Sequence, residues 1–286
     1  MSAIDDYLSR VKRLPPAPRV LPELLQLLRR PDVDADMVVN LIKYDPSLTA
    51  SVLQLANSAF FGSALPAENL TEAVTRLGFQ QVYILVAAVS GARNLSPAQK
   101  GYGMATGDLW RHSATSAVAA QLIARDLGDD VDLVFTAALL HDIGKIILSE
   151  TLESVYTHIV QETARNQYSL LEVERRVLGF NHEEVGERLL ARWNFPANLV
   201  AAVGHHHHPE QAGDHARLAA YAHLGNLVAY ALGQGYGNNS YALEPSPAAF
   251  RILGLTEDTL PDYMMRTFDQ MGAIEALFRV SAKVEK

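Results

Sequence analysis

The chain has 286 residues, 49% of them apolar and 20% charged, enough for one large globular domain or two modest ones. It contains no cysteine, which excludes disulfides, thiolate metal sites and cysteine catalysis and leaves nitrogen and oxygen as the metal donors. A formal net charge of −8 argues against non-specific nucleic-acid binding, which needs a surplus of Lys and Arg against phosphate.

The first residues, Met1 to Tyr7, lack the basic and apolar regions of a signal peptide, so a cytoplasmic protein is expected. Helical periodicity dominates the remainder of the chain, and the fold class expected is all-α. Val20 to Leu28 repeats Leu at helical spacing. Asp34 is placed to cap a second helix through Met37, Val38, Leu41 and Ile42. Asp45-Pro46 breaks that helix and opens a third, Ser47 to Ala59. Asn69 to Gly78 reads as a short helix closed by glycine, with an apolar helix after it. The run Val82 to Val89 is far shorter than the ~18–20 apolar residues that span a bilayer, so it reads as core and no membrane contact is expected.

The polar, glycine-containing stretch Asn94 to Gly107 marks a boundary, giving an N-terminal helical module, 1–95, and a larger bundle, 96–286. Beyond it, helices are expected near 108–127, 131–149, 151–166, 169–178, 182–193, 196–204 and 214–232. A loop over 233–247 precedes two closing helices, one from Pro247 and one from Leu260 to Phe278.

Chemistry concentrates in the histidines. His141-Asp142 lies in the apolar helical run Thr136 to Lys145, followed by Gly144 and Lys145. Imidazole and carboxylate are both ligands for borderline metals, and a carboxylate can bridge two ions. His112 lies on the preceding helix, and His182 sits in a first turn behind the N-cap Asn181. His205 to His208 follow an apolar helix, and Asn226 lies inside another. A bundle can turn such residues toward one point. Taken singly, His112 or His182 is more often a hydrogen-bonded core residue than a ligand, and the His205–His208 run divides between a solvated helix end and a ligand source. His158, His215 and His223 read as structural or surface residues.

The order His112, His141-Asp142, His182, His206-His207 resembles the HD superfamily of metal-dependent phosphohydrolases. Leu14 to Pro18, Asp45 to Ala50, Leu55 to Phe61 and Ala73 to Gly78 resemble the HDOD domain, the HD-related output domain of bacterial signalling proteins. The resemblance implies one metal held by His112, His141 and Asp142, with Asn226 at the position of a final acidic ligand. It implies a second held by His182, His206 and His207, with Asp142 bridging. Asp108, four residues before His112 on the same helical face, could add a carboxylate. Lys145 is similar to the HD-family lysine that contacts substrate phosphate, though it equally suits a helix-end surface lysine. Asn226 is a weaker ligand than a carboxylate, and the run His206 to Glu210 lacks the Gly-Tyr-Pro signature of the branch that hydrolyses cyclic di-GMP.

The implied cofactor is a dinuclear divalent transition metal: iron, manganese or zinc. Three functions are consistent with these features. The first is a stand-alone signalling module that acts through a protein partner or a small phosphorylated ligand. The second is a metal-dependent phosphohydrolase using Asp142 and Lys145. The third is a helical protein whose histidines are core residues. The oligomeric state is left open.

Overall fold

Side-chain caps set the helix starts in the N-terminal half. The computed structural model describes residues 3–10, 18, 20–58, 61, 65–151, 153, 169–234 and 245–281. Asp34 accepts the N–H of Met37 at 2.8 Å and starts a helix over Ala35–Ile42. Asp45 accepts from Ser47 and Leu48, with Pro46 in the first turn of Pro46–Ala56. Asn69 accepts from Glu72 ahead of Leu70–Leu77, which Gly78 closes at φ 77°, a conformation that suits a residue without Cβ. The expected helix from Ser47 to Ala59 ends earlier, at Ala56. There Asn57 turns its amide to the next loop, accepting Ala67 N–H at 2.6 Å and donating to Ala67 O at 3.2 Å.

These helices, with Val20–Leu28 and most of Phe79–Leu95, belong to a compact unit of residues 18–92 and 269–286. Leu24, Val38, Ile42, Val52, Val74, Val82 and Val86 are fully buried in it. A second compact unit comprises residues 1–17 and 93–268. Among the described residues there is no strand, and no single helix is long and apolar enough to cross a membrane.

Numbered along the chain, the helices before Asp108 run from α1 (Ala3–Arg10) to α6 (Phe79–Leu95). The second unit is built on α7 (Asp108–Leu127), α8 (Val131–Leu140), α9 (Ile143–Thr151), α10 (Leu170–Leu178), α11 (His182–Arg192), α12 (Ala197–Gly204) and α13 (Ala216–Ala231). Pro247–Leu253 and Leu260–Ser281 are α14 and α15. Helices α7, α8 and α13 form the centre of this unit, sharing a core that includes Ala117, Val118, Ile123, Phe135, Leu139, Leu224 and Val228. Small residues bring them close. A Cβ on Gly225 would stand 2.3 Å from the carbonyl oxygen of Ser116, so α13 crosses α7 nearly backbone to backbone.

The single helix expected over 131–149, carrying His141 and Asp142 in its interior, is two helices that break at that pair. His141 turns its ring Nδ1 back to Ala138 O at 2.7 Å, and Lys145 N–H bonds to Asp142 O as α9 begins. The break places both side chains at a helix junction in the bundle interior. Most of the expected helix over 151–166, His158, and most of the loop 233–247 lie outside the described residues.

Candidate metal centre

Each candidate ligand is delivered by a different piece of local structure. His112 stands one turn into α7, and His141 and Asp142 occupy the α8–α9 junction. His182 is the first residue of α11, behind an Asn181–Glu184 capping box. His206 and His207 lie in the turn after α12. Gly144 permits the closest of these approaches. A Cβ there would stand 2.0 Å from His182 O and 2.8 Å from Gly186 N, so only glycine lets α9 rest against the start of α11.

Asp142 is the hub. Its Oδ2 lies 3.3 Å from His141 Nε2 and 3.5 Å from His112 Nε2, while its Oδ1 lies 3.4 Å from His182 Nε2 and 3.8 Å from His206 Nε2. His207 Nε2 is 3.3 Å from His182 Nε2. Two groups of donors, His112/His141/Asp142 and His182/His206/His207, are each gathered closely enough to hold a metal ion. His112, His141, Asp142, His182 and His206 are all buried, and His207 is half-buried.

The outer nitrogens determine what the inner ones can do. His112 Nδ1 faces Gln234 O at 3.2 Å, His141 Nδ1 faces Ala138 O, and His206 Nδ1 faces Val203 O at 2.9 Å. His182 Nδ1 faces Glu174 Oε2 at 2.8 Å. These acceptors take a proton on Nδ1 in each ring, which leaves four Nε2 lone pairs directed at one carboxylate. His112 Nε2 and His141 Nε2 stand 3.3 Å apart, and two lone pairs cannot hydrogen-bond to each other. His206 Nε2 and Asp142 Oδ1 make no hydrogen bond among the described residues. Converging donors with nothing to donate to suit a cation, so the residues fit a divalent transition metal.

For His112, His206 and His207 electrostatics agree with that reading. Burial pushes the His112 imidazole down to about 3, and it likewise holds His206 and His207 well below the usual histidine range. His182 moves the other way: burial opposes its charge, but the Glu174 carboxylate outweighs burial. Burial also opposes ionisation of Asp142, yet the neighbouring His141 and Lys145 hold its carboxyl well below the ordinary range.

Lys145 is not a surface residue. It is 2% exposed, and its Nζ donates to Asp142 Oδ2 at 2.6 Å. Asp108 is not brought into the cluster: its oxygens accept from Ala105 N–H and from Arg111 at the start of α7. Asn226 is buried, and its Oδ1 makes no hydrogen bond among the described residues. His223 is structural, donating from Nδ1 to His206 O at 2.9 Å and accepting Ser246 N–H on Nε2 at 3.0 Å. His215 lies half-buried in a short 3₁₀ turn before α13.

Three supporting residues were not anticipated. Glu174 accepts the backbone N–H of His182 at 2.7 Å as well as its ring, and takes the Tyr102 hydroxyl on its other oxygen. Glu183 accepts His207 N–H at 2.7 Å, and burial pushes its carboxyl up to about 7. Tyr230 packs its ring against His112 at 4.7 Å. Glu174 left a trace in the sequence: it falls between Leu170 and Leu178 at four-residue steps, a carboxylate on the apolar stripe of α10.

An all-helical protein with a buried His/Asp cluster able to hold metal is thus defined by fold and site. The chain belongs to the HDOD family, whose domain profile matches residues 14–209. It superposes on the crystal structure of a candidate phosphohydrolase from Shewanella amazonensis SB2B with a TM-score of 0.72, 24% identity and 98% of each chain covered, a likeness of fold. It is 25% identical over 224 residues to an uncharacterized protein of Treponema pallidum (strain Nichols), covering 78% of this chain and 42% of that one. It is 33% identical over 102 residues to ribonuclease Y of Thermus thermophilus, covering 36% of this chain and 13% of that enzyme. The chain therefore spans less than half the length of these two curated relatives.

Proposed function

We propose that this HDOD protein is a bacterial, cytoplasmic signalling module that holds a divalent transition metal (iron, manganese or zinc) among His112, His141, Asp142, His182, His206 and His207. It would act by binding a signalling protein or a small phosphorylated ligand. The observation that carries the metal is the set of four imidazoles whose Nδ1 hydrogens are engaged outward and whose Nε2 lone pairs meet at Asp142. Asp142, with one oxygen toward each group, can bridge two ions. Binding rather than turnover is supported by Asn226, a neutral amide where the family resemblance places a carboxylate, and by the missing Gly-Tyr-Pro signature.

A second reading, a metal-dependent phosphohydrolase, draws on Lys145, a buried cation beside the bridging carboxylate, and on the similarity to part of ribonuclease Y. Bound metal would supply a water acidified toward a pKa of ~7. Asp142 would orient that water, and Lys145 would offset phosphate charge. Elemental analysis of the wild type and His182→Ala tests the metal, with stoichiometric ion expected only in the wild type. Turnover of a nucleotide and phosphodiester panel by metal-loaded wild type and Asp142→Ala then separates the readings. Equal, background rates support the binding module, and metal-dependent turnover lost in Asp142→Ala supports the hydrolase.

A further inference from the structure

We infer that the two halves of the centre are unequal: one ion is held tightly by His182, His206, His207 and Asp142 Oδ1, while the Lys145 ammonium stands in for the second cation. This rests on the metal reading above and deepens it. The asymmetry begins at Asp142 itself. Oδ2, the oxygen facing His112 and His141, is already engaged by Lys145 Nζ at 2.6 Å. Oδ1, the oxygen facing His182 and His206, makes no hydrogen bond among the described residues, nor does His206 Nε2.

Counting donors gives the same division. Three imidazoles and Oδ1 make a full tetrahedral set on one side. Two imidazoles and a carboxylate oxygen shared with an ammonium remain on the other, the side for which the family resemblance implies an acid at the position of Asn226.

The surrounding charges divide in the same sense. His182 Nδ1 donates to the Glu174 carboxylate, which makes its Nε2 a stronger donor. On the other side, His112 and His141 donate only to the neutral carbonyls of Gln234 and Ala138. Lys145 cannot swing into water to make room. Its side chain is 3% exposed, with the Tyr102 ring 5.9 Å from Nζ and the Tyr230 side chain also in interaction with it. A divalent ion seated at Oδ2 would therefore face a fixed positive charge.

The test is equilibrium dialysis of the full chain against Zn(II), followed by elemental analysis, with folding checked by circular dichroism. The wild type is expected to retain a single ion per chain. His207→Ala should lose it, with affinity falling more than about tenfold. His112→Ala should keep it within about twofold. Lys145→Met should take up a second ion. If that variant does not fold, Lys145→Gln serves in its place and the His112/His207 contrast still decides. Two equally tight ions in the wild type, equal losses in His112→Ala and His207→Ala, or a folded Lys145 variant limited to one ion would each overturn the inference while leaving the metal reading intact. A wild type that retains no ion overturns the metal reading itself.

Discussion

Glu174 shows how a residue outside the cluster can govern it. Both the backbone N–H and the ring Nδ1 of His182 bond to its Oε2, and the Tyr102 hydroxyl bonds to its Oε1, all in the buried interior. Replacing it by Gln removes the charge behind His182 at similar volume, so metal affinity should fall about 10–100-fold with helix content unchanged. Competition against a chromophoric chelator measures this, and an unchanged affinity would assign Glu174 a purely structural role. His223 carries a separate prediction about pH. Burial holds its pKa down to about 4, against an ordinary value of 6.5. Between those values the folded protein binds fewer protons there than the unfolded chain. The stabilising contribution is therefore complete above about pH 6.5 and is lost as pH falls toward 4. In chelator-treated protein, His223→Gln should flatten the slope of melting temperature against pH across that window. A slope identical to wild type would remove His223 from the acid response.

At the scale of helices, the crossing of α9 and α11 ties fold to site. Gly144→Ala would drive a methyl group against His182 O and Gly186 N, both backbone atoms that cannot rotate away. The helices must part, at a cost of about 1–3 kcal/mol, and His182 must shift from Asp142. Lower melting temperature together with weaker metal binding is expected, and stability lost without any change in metal affinity would uncouple the two. Much of this layer could be read in advance. Asp34 and Asn181 announce their helices because a cap needs only a short polar side chain and the next turn. The break at His141-Asp142 could not be read, because no Gly or Pro precedes it and the apolar pattern runs on from Leu140 to Ile143. The break coincides with long-range contacts: the clustered imidazoles and the packing of α9 on α11. Asp108 failed for the converse reason. Helical spacing aligned it with His112, but at the first turn of α7 the Ala105 N–H and Arg111 lie closer to it.

Across the whole chain, the donors lie far apart in sequence, from His112 to His207, yet all fall within one compact unit. Their order along the chain was legible, since the His-Asp pair and the flanking histidines stand out from apolar helices. Their convergence was not, because it depends on crossings such as Gly144 on His182 and Gly225 on Ser116 that no local pattern encodes. An ion held by Asp142, His182, His206 and His207 would join the α8–α9 junction, α11 and the turn after α12, none of which can reassemble the donor set in the unfolded state. Metal should therefore stabilise the unit by mass action, by about 2.7 kcal/mol when free metal stands at a hundredfold excess over its dissociation constant. Calorimetry with and without a chelator measures this. The melting temperature of the wild type should rise several degrees with metal, and that of Asp142→Ala, which loses the carboxylate facing both groups of imidazoles, should not move. An equal rise in both proteins would place the stabilising ion elsewhere in the molecule.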